Sequence, residues 1–139
     1  MFNNSTLFCS KMNISAIKKM IIALDKKKKI RFIFLFGSVA EQRNTPLSDV
    51  DIAIYYDDSA VERFNFRKKV SGFLPDLLDV QIFQDLPLAV QQEVIKGKVV
   101  YCDDREFMIS TCIRVVREFS SFEKYYRAYL DPLLREVSA

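Results

Sequence analysis

The chain has 139 residues, with 21 basic and 18 acidic side chains, half of its residues apolar, and no histidine. That length suits one domain with an ordinary core, and a net charge of +3 is too small to argue for nucleic-acid binding. Without histidine, Ser-His-Asp and Cys-His catalysis, HExxH metalloprotease sites and histidine-ligated zinc are all excluded.

In chain order, residues 1–12 form a polar start without the apolar stretch of a signal peptide, and are expected to be loose. Met12 is a second candidate initiator. Ile14, Ile17, Ile21 and Leu24 then recur at helical spacing behind Asn13 or Ser15, either a good N-cap. Lys26 to Lys29 read as solvated cations at that helix's C-terminal end, where they favourably meet its dipole. Ile30 to Phe36 is nearly continuous β-branched and aromatic sequence, the pattern of a strand covered on both faces. It runs into Gly37-Ser38 and a polar stretch containing Pro46.

A second strand is predicted from Asp49 to about Tyr56, with Val50, Ile52 and Ile54 on one face and Asp49, Asp51 and Ala53 on the other. Ser59 and Glu62 have capping-box spacing and open a helix carrying Val61, Phe64, Phe66, Val70 and Phe73 before Pro75. Leu77 to Phe83 reads as a third strand, with Asp79 and Gln81 facing away from Leu78, Val80 and Ile82. A short helix between Pro87 and Gly97 follows, then a brief strand over Val99 to Tyr101. Asp103 and Glu106 suggest another capping box, opening a long helix to about Leu130.

That last helix carries Met108, Cys112, Val115, Phe119, Phe122, Tyr126, Tyr129 and Leu133, a seam of period 3.5. At about 27 residues it would span ~40 Å, more than a domain this size needs to cover. The seam either packs on the sheet or meets another chain along its aromatic second half. The three cysteines, at 9, 102 and 112, are scattered without metal-ligand spacing and read as free thiols of a reducing compartment. With no run approaching ~20 apolar residues, the expectation is a soluble, cytoplasmic protein with no membrane partner.

The chemistry concentrates in Gly37-Ser38, followed after ten residues by Asp49-Val50-Asp51. Shuffling this composition produces that four-residue pattern in about one chain in a thousand. Asp49 and Asp51 lie two apart on a strand and aim at one point, and Asp79 can join them from a neighbouring strand. Like charges ~4 Å apart repel by ~4 kcal/mol at an effective dielectric of 20, so the cluster needs protons or cations. Carboxylate oxygens suit Mg²⁺ or Mn²⁺, ions that commonly also hold substrate phosphates. Gly37 lets backbone approach a ligand closely, and Ser38 supplies a hydroxyl and an N–H. Asp57, Asp58, Asp103 and Asp104 read as turn and cap residues.

This constellation resembles the polymerase-β-like nucleotidyltransferase superfamily, and within it the minimal nucleotidyltransferases (MNT, MntA-like antitoxins), over about residues 30–101. The resemblance implies an α/β (α+β) fold: a small mixed sheet of three or four strands with flanking helices, in one nucleotidyltransferase domain. Residues 30–101 would be its catalytic core, and the helical region 104–136 a surface for a partner or a second copy. It implies that Gly37 and Ser38 bind the nucleotide's phosphates and that Asp49, Asp51 and Asp79 are catalytic metal ligands. They would hold two Mg²⁺ ions (or Mn²⁺), with Asp79 also helping to deprotonate the acceptor hydroxyl. Arg43 stands where many relatives carry an arginine that contacts the triphosphate, although the glycine often found beside it is absent here.

Minimal members are typically encoded beside a HEPN-domain RNase toxin. The resemblance therefore implies transfer of AMP from ATP to a tyrosine hydroxyl of that toxin, silencing it, with no direct nucleic-acid partner. Two alternatives stand beside this reading. One is a non-catalytic antitoxin that blocks its toxin through the last helix. The other is a nucleotidyltransferase for small molecules, although such relatives generally carry an additional acceptor domain.

Overall fold

The computed structural model describes residues 14–37, 50–75 and 78–138, and side chains from Ile14 to Ala128 within those ranges except that of Val50. The expected loose start, Asn13 as a cap, Ser38, Arg43, Asp49 and the far end of the helical seam lie outside what is described. Helix α1 (Ile14–Leu24) leads into β1 (Ile30–Phe36) and β2 (Val50–Tyr56), followed by α2 (Ala60–Phe73) and β3 (Leu78–Ile82). A 3₁₀ turn (Phe83–Asp85) precedes α3 (Leu88–Val94), β4 (Lys98–Cys102) and α4 (Arg105–Ser138). The fold is the expected α/β arrangement of a small sheet with flanking helices.

The four strands lie in the order β3-β2-β1-β4. β1 is antiparallel to both β2 and β4, and β2 is parallel to β3, so the sheet is mixed. Alternation along the inner strands divides the core into two layers. Ile33, Leu35, Ile52, Ile54, Val80 and Ile82 pack under α1 and α2 with Ile17, Ile21, Phe66 and Val70. Phe32, Phe34 and Ala53 face the other way, against Phe83, Val94 and Val115. The continuous apolar run of β1 is thus covered on both faces.

Turn chemistry fixes the element ends. The Ser59 side chain accepts from the Glu62 backbone N–H, as the capping-box spacing predicts, while the Glu62 carboxylate pairs with Lys27 at 2.9 Å. Lys26 to Lys29 are exposed and lie beyond α1, which already ends at Leu24. What ties that turn down is Asp25, a residue without any periodic signature. Buried to 8% exposure, its carboxylate accepts from the N–H groups of Lys29 (3.0 Å) and Ile30 (2.9 Å). Asp25→Ala removes both acceptors beside a buried strand start, and should lower unfolding free energy by about 1–3 kcal/mol in a urea titration.

Three sequence expectations are corrected here. In α2 only Phe66 and Val70 of the predicted apolar set are buried, whereas Val61, Phe64 and Phe73 are exposed. The inward stripe instead includes Arg67, whose Nε donates to the Val80 carbonyl at 2.9 Å, and ends on buried Leu74. In α4 the cap is Asp104, not Asp103, since the Asp104 carboxylate accepts from the Phe107 N–H at 3.2 Å. Asp103 joins Asp57 and Asp104 around Arg31, at 3.3, 3.1 and 3.4 Å. α4 also continues through Pro132 to Ser138, for 34 residues.

The seam along α4 has two environments. Met108, Cys112 and Val115 join the core layer with Phe32 and Phe83. Further along, Phe122 is 51% and Tyr126 52% exposed, their rings stacked on each other at 5.6 Å. Core packing accounts for the first part of the seam and leaves Phe122 and Tyr126 uncovered.

Candidate functional site

Strand register builds the site at one end of the sheet. Asp51 is the partner of Phe36 on β1, one residue before Gly37, and the partner of Asp79 on the parallel strand β3. Directly paired residues of neighbouring strands project from the same face, so Asp51 and Asp79 stand side by side. They share that face with Ala53 and the aromatic core layer, whereas Ile52 and Val80 turn into the opposite layer. Asp79 is exposed and Asp51 half-buried.

Gly37 closes the third side. Its φ of +90° lies in the region that glycine occupies readily and other residues rarely do. A Cβ placed on Gly37 would collide with Asp51 Oδ2. The glycine therefore serves both a backbone conformation and a close approach to a carboxylate. Of the six residues singled out from sequence, Gly37, Asp51 and Asp79 are brought together. Ser38, Arg43 and Asp49 are among the residues not described, and among those described no group of three acids or thiols forms a metal cluster.

Gln81 was not singled out as a site residue. It lies two residues beyond Asp79 on the same face of β3, and its Nε2 donates to both carboxylate oxygens of Asp79, at 3.2 Å each. The signal was present in the alternation of β3, where Asp79 and Gln81 face one way, but a glutamine carries no chemistry that a motif search would weigh.

The two described thiols stay outside this chemistry. Cys102 and Cys112 are free and pack at the edge of the aromatic layer, where burial pushes the Cys112 thiol pKa upward and keeps it neutral. No described helix is long and apolar enough to cross a membrane.

A face presenting paired carboxylates beside a close-approach glycine is suited to holding cations against an anionic substrate. The family model for polymerase beta nucleotidyltransferases matches residues 18–106. A protein of Methanocaldococcus jannaschii that bears the name of a protein adenylyltransferase is 33% identical over 100 residues, 71% of each chain. Among solved structures, a chain of a toxin–antitoxin structure with AMP-PNP superposes with a TM-score of 0.65 at 20% identity, over 91% of this chain and 99% of that one. A chain from the MntA–HepT toxin–antitoxin structure gives 0.59 at 20% identity, over 90% and 99%. A chain from the tri-AMPylated Shewanella oneidensis HEPN toxin in complex with its MNT antitoxin gives 0.59 at 19%, over 91% and 99%. The chain is a nucleotidyltransferase and belongs to the polymerase beta family of these enzymes.

Proposed function

We propose that this nucleotidyltransferase transfers AMP from ATP to a tyrosine hydroxyl of a HEPN-domain toxin, the α-phosphorus bonding to the tyrosine oxygen as pyrophosphate leaves, and so neutralises it. The observation that carries the reading is the pairing of Asp51 with Asp79 beside Gly37. Support for the acceptor comes from the adenylyltransferase name of the archaeal relative and from the AMPylated toxin in one structural neighbour.

The residues fit divalent metal. Their donors are all carboxylate oxygens, which suit Mg²⁺ or Mn²⁺, and the missing side chain of Gly37 makes room for the Asp51 carboxylate against the main chain. Asp49, Asp51 and Asp79 would hold the ions. Bound there, Mg²⁺ supplies positive charge against the triphosphate and eases ionisation of the acceptor hydroxyl. Gly37 lets the main chain approach the phosphates, and Ser38 offers them its N–H and hydroxyl. Arg43 adds a guanidinium for the triphosphate. Asp79, the exposed member of the pair, accepts the proton leaving the acceptor oxygen. A tyrosine suits this arrangement because its ordinary pKa near 10 lies well below that of an aliphatic alcohol.

The test is to purify the protein with whatever it retains from its native host, then add Mg²⁺ and α-labelled ATP, with Asp49→Asn alongside. Label on a co-purified protein, traced by intact mass to AMP on tyrosine and absent with the variant, is the expected result. A tight partner that never takes label favours a second reading, inhibition by binding alone. That reading draws on the uncovered Phe122 and Tyr126 of α4. Under either reading Phe122→Glu should weaken partner retention about tenfold or more, since it places a charge in an aromatic contact. Loss of cooperative unfolding in this variant would instead assign Phe122 to the protein's own core.

A further inference from the structure

The amide of Gln81 occupies a particular edge of Asp79. With Nε2 at 3.2 Å from Oδ1 and 3.2 Å from Oδ2, the nitrogen lies on the bisector of the carboxylate, facing both oxygens at once. That is the edge from which a divalent cation meets a carboxylate, through one oxygen for a small octahedral ion such as Mg²⁺ and through both for a larger one. An outer-shell donor that supports a ligating carboxylate typically sits on the lone pairs the metal leaves over. Here one nitrogen claims both oxygens. Gln81 is placed for this by the strand itself: positions two apart share a face, and its partner across β2 is Ala53, whose methyl group offers the amide no competing polar contact.

We infer that Gln81 is a positioning residue that holds the chelating edge of Asp79 in competition with a divalent cation, so that Asp79 joins a metal only as the amide gives way. This rests on the reading of Asp79 as a metal ligand. The amide brings a partial charge against the full double charge of the ion, so it does not block the site but raises the cation concentration at which Asp79 is recruited. Losing one donor to an exposed carboxylate corresponds to a shift of about three- to tenfold in cation affinity.

The experiment measures Mn²⁺ binding to the full chain by electron paramagnetic resonance, with and without a non-hydrolysable ATP analogue. It compares the parent with Gln81→Met, Gln81→Ala and Asp79→Asn. Methionine keeps the length of glutamine and removes the donor, and thermal unfolding without metal verifies the fold of each variant. The expected result is Mn²⁺ binding about three- to tenfold tighter in both Gln81 variants, with the Mg²⁺ needed for half-maximal AMP transfer falling in the same ratio. Unchanged Mn²⁺ affinity in folded Gln81 variants overturns the inference and leaves the metal reading standing. Weaker Mn²⁺ binding overturns it in the other direction, making Gln81 a support of the ligand. Parent and Asp79→Asn binding Mn²⁺ equally well, or not at all, removes Asp79 from the metal site and the inference with it.

Discussion

Asp51→Asn is expected to reduce nucleotidyl transfer by at least ~10²–10³-fold, the scale on which a single preorganised charge contact counts in a transition state. Asparagine is nearly isosteric, so strand register and the Gly37 contact persist while the anionic charge facing Asp79 disappears. Neighbouring strands run ~5 Å apart, and two carboxylates at that distance repel by about 3 kcal/mol at an effective dielectric of 20, less where water screens them. Removing one of the charges should therefore leave the fold intact, with an unfolding midpoint within roughly 4 °C of the parent. Single-turnover transfer from labelled ATP measures the first quantity and circular dichroism the second. Transfer at the parental rate would remove Asp51 from the chemistry and with it the two-metal reading.

Gly37→Ala is the second large effect, and it acts through two separable causes. A φ of +90° is strained for alanine, and left-handed backbone costs an L-residue roughly 1–2 kcal/mol. Independently, the new methyl group collides with Asp51 Oδ2, so the carboxylate must swing out of its place. Misplacing a reacting group by ~1 Å is worth about 10²-fold in rate. The expected outcome is a modest drop in stability with a drop in transfer near that of Asp51→Asn. Because both substitutions act on one carboxylate, their effects on transfer should be less than additive: the double variant is expected to fall below Asp51→Asn only by what the approach of the Gly37 main chain to the phosphates contributes. Full additivity would mean that Gly37 acts on transfer entirely apart from Asp51.

Much of this arrangement was legible in the chain because two signals agreed. The alternation of Asp51 with Ile52 and of Asp79 with Val80 assigned both acids to one face of their strands, and the structure pairs them directly. Gly37 was legible as a close-approach residue, though not what it approaches, because register between β1 and β2 cannot be read from either strand alone. Asp25 and Gln81 escaped for the same physical reason. Their roles consist of hydrogen bonds set by the fold, to two backbone N–H groups in one case and one carboxylate in the other. In α2 the aromatic spacing misled. Phe64 and Phe73 fit a helical period, yet the inward stripe is shared with an arginine that spends its guanidinium on a strand carbonyl. The N-terminus of α4 shows how local signals compete: Asp103 and Asp104 both have cap chemistry and both pair with Arg31, but only Asp104, directly before the helix, also accepts from the Phe107 N–H.

The division of α4 into a packed and an uncovered half has a kinetic consequence. Amides around Thr111 and Val115 sit against the aromatic layer, so their exchange with solvent deuterium requires opening of the core itself. From Phe122 to Ala128 the described side chains are exposed, with i,i+4 pairs such as Glu123–Arg127, and a helical segment without tertiary packing is marginal in water. One continuous helix should thus exchange in two regimes, slow before Phe119 and fast after it. Whatever covers Phe122 and Tyr126 would be recorded as the fast half turning slow.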